Sequence, residues 1–369
     1  MTEREATHND VLMDVLESGA RKTATPGAVF GLTRGVGDAF FTRDGAVGTL
    51  DARGERPATL ASIYDLASLT KILAGALLAA EAINQRKLAL DEMPWPKWEG
   101  VKVQHVLAHT SGLPAWNPLF EAAGGRPPSK QTRAAVFDAA LKTQLISEPG
   151  RLVVYSDIGF IALTALIEAR LGARVDEIFD TVAKREWGVS DMGYVPLDTV
   201  AHHPRREAVG VGGLCAHRKQ HVWGVVHDMN CYAMAGVSLH AGLFGRVCDV
   251  SQAAYRFLCA VTQPREPFEL ILRAFARHDG PRPLAFDRVS LGGTTGAALS
   301  PASFGHLGFT GTSLWVDPDA KQTYVLLANR LVFGADREVM KHLRIRFHEA
   351  AAKVLHKDTV LKIRHANRQ

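Results

Sequence analysis

Cysteine is scarce in this chain, and its spacing excludes two common uses of the residue. The chain has four cysteines among 369 residues, and no two of them form a Cys-x-x-Cys pair. This spacing excludes a dithiol redox pair and half of a zinc finger. Reduced thiols are the default in a chain without a visible leader, so we expect no disulfide framework.

The sequence also lacks a long apolar run and a recognisable leader. No uninterrupted stretch of about 18 apolar residues is present, so we expect no membrane span. The polar start over residues 1–5 shows no apolar segment behind a basic one, which excludes a visible secretory signal. We therefore expect a cytoplasmic location and no membrane partner.

No internal repeat, low-complexity segment or strong charge excess is found. Charged residues make up 22% and hydrophobic residues 47% of the chain, with a net charge of +5. These values exclude disordered and fibrous classes. The basic residues are dispersed, apart from a bias in the tail at residues 357–369, which we interpret as a solvated end. Nucleic-acid binding is a distant alternative, so no nucleic-acid partner is expected.

Motifs for a metal or a nucleotide are absent as well. Two histidine pairs have i, i+4 spacing, but neither encloses the glutamate of a His-Glu-x-x-His zinc site. These pairs are His105 with His109 and His217 with His221. Cys215 near the second pair leaves adventitious metal binding open. The glycine-rich stretch 291–296 does not join a strand to a helix, so we predict no metal and no cofactor.

Sheet and helix patterns occur at both ends of the chain. A helical period over residues 10–21 precedes a predicted strand at 28–33, and two further strands are predicted at 306–318 and 322–329. A long helix over 336–355 follows. These patterns predict an α/β (α+β) fold with an antiparallel sheet flanked by helices.

The middle of the chain has a different character. Residues from about 90 to 280 predict a mainly helical and irregular insertion, and residues 200–226 show no clear period. The α/β part would then comprise residues 1–85 and about 285–356, followed by the tail. At this length we expect one catalytic unit over residues 1–369.

A Ser-x-x-Lys motif, Ser68 to Lys71, begins the most apolar predicted helix, at residues 72–83. A short strand is predicted just before it, at 59–64, so Ser68 is expected near a helix N-terminus with Lys71 on the same face. A lysine desolvated by apolar neighbours can have its pKa lowered enough to take the proton of a serine. A capping serine and a surface lysine are the alternative, but the residues after Lys71 are apolar.

Three separated motifs resemble those of a known family. They are Ser68-x-x-Lys71, Tyr155-Ser156-Asp157 and His306-Leu307-Gly308. Their order and spacing resemble the penicillin-recognising serine hydrolases, in the branch that holds class C β-lactamases, certain DD-carboxypeptidases, D-aminopeptidases and esterases of the same fold. Further stretches that strengthen the resemblance are residues 65–71, 109–114, 226–228, 240–244 and 305–312.

The resemblance implies a β-lactamase/transpeptidase-like fold and a defined set of roles. Ser68 would attack an acyl carbonyl and form an acyl-enzyme. Lys71 and Tyr155 would share the proton transfers, with the ammonium pushing the phenol toward phenolate. The backbone N–H groups of Ser68 and of Phe309, on an edge strand, would form the oxyanion hole. His306, with Leu307 and Gly308, would form the pocket wall and polarise the phenol.

Two departures from the family pattern bear on the substrate. Asp157 stands where the β-lactamases have asparagine; when ionised it cannot donate to an amide carbonyl, and it could instead pair with Lys71. Leu307 replaces a threonine whose hydroxyl helps to hold a substrate carboxylate. We therefore expect a serine hydrolase acting on small esters, with a small-molecule acyl substrate.

The alternatives within the same chemistry are a D-amino-acid peptidase or DD-carboxypeptidase and a weak β-lactamase. A non-catalytic, ligand-binding relative is the alternative from another class. The sequence leaves the oligomeric state open.

Overall fold

A computed structural model describes residues 11–19, 24–37, 40–199, 211–215, 217–334 and 336–366. The strands are β1 (Gly27–Arg34), β2 (Phe41–Gly48), β3 (Tyr64–Asp65), β4 (Gly193–Tyr194), β5 (Val211–Cys215), β6 (Gln220–Trp223), β7 (Leu243–Gly245), β8 (Asp287–Arg288), β9 (Phe304–Leu307), β10 (Ser313–Asp317) and β11 (Gln322–Ala328). The α-helices are α1 (11–19), α2 (Leu77–Asn84), α3 (Val103–Leu107), α4 (Lys130–Leu141), α5 (Asp157–Leu171), α6 (Val175–Trp187), α7 (Met229–Ala233), α8 (Val247–Thr262), α9 (Pro267–Ala276) and α10 (Arg337–Ala366).

A six-stranded sheet in the order β2-β1-β11-β10-β9-β8 forms the centre of the α/β part, and its pairings are antiparallel. Strand β11 is buried along its whole length, and its side chains alternate between two faces. Tyr324 and Leu326 pack in one apolar cluster with α1 and α10, whereas Val325 and Leu327 pack in another with α8. The predicted antiparallel sheet with flanking helices is confirmed.

The helix that follows Ser68 is buried and irregular at its start. A 3₁₀ turn over Ala67–Leu69 leads into a π-helical stretch over Lys71–Ala76 and then into α2. A π-helical turn widens the coil and is often found at functional sites. The stretch Ala67–Asn84 is long and apolar enough to cross a membrane, but 83% of it is buried inside the fold. It is the core helix of the molecule.

The predicted strand at 59–64 is wrong over most of its length. Only Tyr64–Asp65 is a strand, and it pairs with β7 rather than with the large sheet. Residues 59–62 instead close a turn, in which Ser62 N–H donates to the carbonyl of Thr59 and Thr59 N–H donates to Ser62 Oγ, both at 2.9 Å. Such bonds from a short hydroxyl side chain compete with strand pairing.

The irregular segment predicted at 200–226 falls partly on residues 200–210 and 216, which lie outside the described residues. From residue 211 it contains a hairpin, in which β5 pairs with β6, so this part of the prediction is wrong. The register shifts between Val211 and Leu214, across two glycines, and this shift hides the alternation that would mark a strand.

Gly75 shows how closely the core helix packs against its neighbours. A Cβ at this position would lie 2.9 Å from Cε1 of buried Phe160. We expect Gly75→Ala to lower the free energy of unfolding by about 1–3 kcal/mol through overpacking, in spite of the better helix propensity of alanine. Urea denaturation measures the difference.

The matched control for this prediction is the same substitution in a Phe160→Leu background. There the added methyl group has room, so the cost of Gly75→Ala should fall by at least half. An equal cost in both backgrounds would show that the close approach to Phe160 is not its cause.

Candidate active site

Ser68 lies in a strained turn that is fixed at both ends. Ala67 has φ of +48°, a left-handed conformation that residues other than glycine seldom adopt. The Ala67 N–H donates to Oδ1 of Asp65 at 2.9 Å, and Oγ1 of Thr70 donates to the Ala67 carbonyl at 2.6 Å. These two bonds hold the turn so that Ser68, which is half-buried, lines a cavity of about 870 Å³.

Lys71 is fully buried behind the serine, and its ammonium has three acceptors. Nζ lies 2.6 Å from Oδ1 of Asp157, 3.0 Å from the carbonyl of His240 and 3.2 Å from Oγ of Ser68. The first contact is an ion pair, and the other two are hydrogen bonds that Nζ donates. The predicted pairing of Asp157 with Lys71 is therefore confirmed.

These contacts fix the charges of the resting site. Burial lowers the pKa of Lys71, but the carboxylate of Asp157 outweighs burial and holds that pKa above its usual value. Burial also raises the pKa of Tyr155, and the Lys71 ammonium only partly opposes it. The expected lowered pKa of Lys71 and phenolate character of Tyr155 are therefore wrong for the resting protein, because the sequence reasoning gave too little weight to Asp157 and to burial of the phenol.

The second motif is held in place by a histidine. The N–H of Ser156 donates to Nδ1 of His109 at 3.0 Å, and the His109 ring lies 4.5 Å from the Tyr155 ring between centroids. Burial lowers the pKa of His109 well below its usual value, so the ring is neutral. Ser156 Oγ also accepts the N–H of Gly159 at 3.4 Å and so caps α5. His109 thus orients the loop that carries Tyr155.

The third motif lies on β9, which is not the edge strand that we expected. The short strand β8 pairs outside it, with Asp287 opposite Gly305, and leaves His306 beyond its end. Nδ1 of His306 lies 2.8 Å from the carbonyl of Leu307, and a carbonyl can only accept, so Nδ1 carries the proton. Burial lowers the pKa of His306 well below its usual value. His306 is therefore neutral and a weak base.

Two hydroxyl groups join the loop after the third motif to the turn that carries Ser68. Thr310 Oγ1 donates to the carbonyl of Asp65 at 2.8 Å, and Thr312 Oγ1 donates to that of Leu66 at 3.2 Å. A side chain at Gly308 would overlap Thr312, so glycine permits this approach. The loop brings Phe309 into the cavity that Ser68 lines. An oxyanion hole formed by the N–H groups of these two residues stays a prediction.

The structure thus brings the predicted residues together around one cavity. Lys71 lies behind its wall, and the cavity is lined by Ser68, Tyr155, Asp157, His306, Leu307, Gly308 and Phe309. Within the part of the chain that the structure describes, no three His, Cys, Asp or Glu side chains are grouped to hold a metal.

Sequence reasoning missed two supports of this site. The guanidinium carbon of Arg282 lies 5.5 Å from the centroid of the Tyr155 ring, and Arg282 pairs with Asp287 at 2.8 Å. His240, whose carbonyl accepts from Lys71, is held through Nε2 by Asp228 at 2.8 Å. The stretches 226–228 and 240–244 were a signal for the second support, whereas no pattern marked Arg282.

Comparisons with known proteins identify the family of this chain. The profile of the family described as Beta-lactamase matches residues 12–348. The chain belongs to the Beta-lactamase family. A Salmonella enteritidis protein named "Putative D-alanyl-D-alanine carboxypeptidase" is 27% identical over 307 residues, which cover 74% of this chain and 70% of that protein.

Two solved structures share the fold. One is EstCE1, described as a hydrolase with promiscuous acyltransferase activity; it has a TM-score of 0.71 at 19% identity, over 94% of this chain and all of that one. The other, simvastatin synthase (LovD) from Aspergillus terreus, has a TM-score of 0.67 at 16% identity, over 94% of this chain and 98% of that one. The predicted β-lactamase/transpeptidase-like fold is confirmed. This family member is a β-lactamase-related serine hydrolase.

The Lys71–Asp157 pair predicts a change in pH dependence. Asp157→Asn keeps the shape of the side chain but removes the counter-charge, so burial then dominates and lowers the pKa of Lys71. The unprotonated amine should form at lower pH, and the pH midpoint for labelling of Ser68 by a fluorophosphonate should fall by about one unit or more. Labelling rates followed by intact mass between about pH 6 and 11 test this, a range that includes the ordinary lysine pKa of about 10.4.

Glu168→Gln is the matched control, since it removes the carboxylate of another mostly buried ion pair, with Arg133 at 2.6 Å. Neither residue lines the cavity. An equal shift in this control, or an upward shift in Asp157→Asn, would contradict the assigned role of Asp157.

Proposed function

We propose that the protein hydrolyses small carboxylic esters through an acyl-enzyme on Ser68. The observation that carries the proposal is the 3.2 Å contact between Oγ of Ser68 and Nζ of a fully buried lysine. Nζ also lies 4.8 Å from the centroid of the Tyr155 ring. Ser68 and Tyr155 line a cavity of about 870 Å³, which is large enough for a small-molecule acyl substrate.

Acylation needs a base, and the resting charges indicate where it comes from. Lys71 is an ammonium and Asp157 a carboxylate, 2.6 Å apart. Transfer of one proton from Nζ to Asp157 leaves a neutral amine beside a neutral acid. The amine then takes the proton of Ser68 as Oγ bonds to the acyl carbon. A substrate that displaces water from the cavity favours this neutral pair, because a low dielectric disfavours separated charges.

Tyr155 is suited to the acid step. Burial raises the pKa of its phenol, so the residue retains a proton that it can give to the leaving alkoxide. The proton held on Lys71 then returns to Tyr155. A water molecule attacks the acyl-enzyme in the second half of the reaction, releases the acid and restores Ser68.

The preference for esters rests on two side chains. The carboxylate of Asp157 is engaged by Lys71 and offers no N–H to a substrate amide. Leu307 lines the cavity without a hydroxyl group. The structural neighbour EstCE1, described as a hydrolase with promiscuous acyltransferase activity, is consistent with ester chemistry and with an acceptor other than water.

Cleavage of a D-amino-acid peptide is the second candidate, and it is favoured by the name of the Salmonella relative. Weak β-lactamase action would use the same acyl-enzyme. A binding protein without catalysis is the remaining alternative.

The first test separates these functions. Wild-type protein should gain one fluorophosphonate adduct by intact mass, and Ser68→Ala should gain none. Among p-nitrophenyl acetate, p-nitrophenyl butyrate, nitrocefin and a D-alanyl dipeptide, the esters should turn over fastest. Faster turnover of nitrocefin or the dipeptide would reverse the ranking, and a folded wild type that stays unlabelled would support the binding protein.

The second test concerns the proton carriers. Lys71→Ala and Tyr155→Phe should each lower kcat by about 10²–10⁴-fold, the usual span for a positioned acid or base. The double variant should lose less than the product of the two effects, because the residues act as one unit. His306→Ala should change KM more than kcat, since its ring is neutral and a weak base.

Steady-state kinetics with circular dichroism as the folding control give these values. An inactive His306→Ala beside a Tyr155→Phe variant that keeps wild-type turnover would make the histidine the base and overturn the assignment.

A further inference from the structure

Asp65, three residues before Ser68, accepts backbone N–H groups from two separate segments. Its Oδ1 accepts the N–H of Ala67 at 2.9 Å, and its Oδ2 accepts the N–H of His227 at 2.8 Å. The first bond holds the strained turn that carries Ser68, and the second holds the loop before α7. One carboxylate therefore fixes this turn against a loop 162 positions further along the chain.

The loop before α7 leads on to the buried lysine. Asp228 follows His227 directly, and its Oδ1 lies 2.8 Å from Nε2 of His240. The carbonyl of His240 accepts from Nζ of Lys71 at 3.0 Å. Oδ1 of Asp228 also accepts the N–H of Cys231 at 2.7 Å, which joins the loop to α7. A displacement of His227 would therefore move an acceptor of the Lys71 ammonium.

Further contacts leave the backbone on both sides of this link little freedom. The carbonyl of Asp65 accepts from Oγ1 of Thr310 at 2.8 Å, and its backbone pairs with Phe244 of β7. Neither of these two residues carries a charge. On the loop before α7, Arg218 donates to the carbonyl of His227 at 2.9 Å. The carboxylate thus lies between two N–H groups whose positions are themselves held.

We propose that Asp65 is a positioning residue that keeps Ser68 and the carbonyl partner of Lys71 in register, and that it does so only as a carboxylate. An ionised carboxylate accepts at both oxygens, whereas a protonated acid or an amide has a donor on one side. Whichever way such a group turned, its donor would face a backbone N–H, and one of the two bonds would be lost. The effect on turnover rests on the proposed function.

The surroundings of Asp65 bring its ionisation close to neutral pH. Burial raises its pKa to about 6, with help from Asp228 and against two backbone N–H groups and Arg218. Burial alone would raise the pKa of Asp228, but His240 outweighs it and lowers that pKa to about 2. Burial lowers the pKa of His227 to about 4. Of the charged and titratable groups that face the carboxylate, Asp65 is therefore the one that changes charge between about pH 5 and 8.

The test variant is Asp65→Asn, and Asp51→Asn is its matched control. Asp51 also accepts backbone N–H groups on both oxygens, from Arg53 on Oδ1 and from Arg56 on Oδ2, each at 2.8 Å. It does not line the cavity. Both substitutions should lower the urea midpoint. Asp65→Asn alone should lower kcat for p-nitrophenyl acetate, by about 10–10²-fold with KM within about twofold, because misplaced reacting groups cost rate more than binding.

The pH dependence separates positioning from general support of the fold. The ratio of wild-type kcat to that of Asp65→Asn cancels every titration that the two proteins share. It should fall by about five- to tenfold from pH 8 to pH 5, because the wild type loses its carboxylate near pH 6 and then resembles the amide. The same ratio for Asp51→Asn should stay constant.

Hydrogen exchange tests the same link without turnover. After correction for the intrinsic effect of pH, wild-type amides in residues 66–70 and 225–229 should lose protection by about five- to tenfold from pH 8 to pH 5, in line with one lost hydrogen bond. Asp65→Asn should show the lower protection at both pH values. The wild-type measurement decides the proposal even where the variant does not fold.

Equal losses of kcat in Asp65→Asn and Asp51→Asn, a ratio that does not change with pH, or unchanged hydrogen exchange would overturn the positioning role. The expected change of exchange in a protein that turns over no ester and gains no fluorophosphonate adduct would refute the ester hydrolase and keep the link between the two segments. Ester turnover that Asp65→Asn leaves unaffected would do the reverse.

Discussion

The buried ammonium of Lys71 is the interaction on which the rest of the site depends. Desolvating a single ion costs several kcal/mol unless partners are in place, and here the partners come from the lysine's own turn and from two segments distant in the sequence. They are Oγ of Ser68, the carboxylate of Asp157 and the carbonyl of His240. The start of the core helix, the start of α5 and the loop before β7 must therefore be positioned together, or the charge is left unsatisfied.

Much of the fold could be predicted from local patterns, and the errors were made where distant contacts decide. The strands at 28–33 and 322–329 were recognised because each is apolar and bounded by turns, and both lie in the large sheet. The strand predicted at 59–64 failed because hydroxyl groups close a turn there. Strand β8 was not predicted, since two residues carry no period, and its presence moved β9 away from the sheet edge.

The candidate site shows the same division. The residues that line or underlie the cavity could be predicted from the sequence. Ser68 and Lys71 were predicted from their spacing, and the others from the resemblance of their motifs to a known family. The direction of the pKa shift of Lys71 could not be predicted in the same way. It depends on the balance between burial and the carboxylate of Asp157, which lies 86 positions away in the chain. The two arginines beside the Phe309 ring, Arg330 and Arg337, belong to no motif that the sequence analysis identified. They meet only when α10 packs against the loop after the third motif, where Arg344 donates to the carbonyl of Gly308.

The charge of a bound substrate bears on the proton transfer beside Ser68. Passage of the proton from Lys71 to Asp157 leaves the net charge of the pair unchanged, but the carboxylate holds the pKa of Lys71 above its usual value, so the transfer is uphill in the resting protein. An anionic substrate would raise the pKa of Lys71 further and oppose that transfer. A neutral ester that only displaces water from the cavity avoids this opposition, which is in keeping with the proposed action on small carboxylic esters.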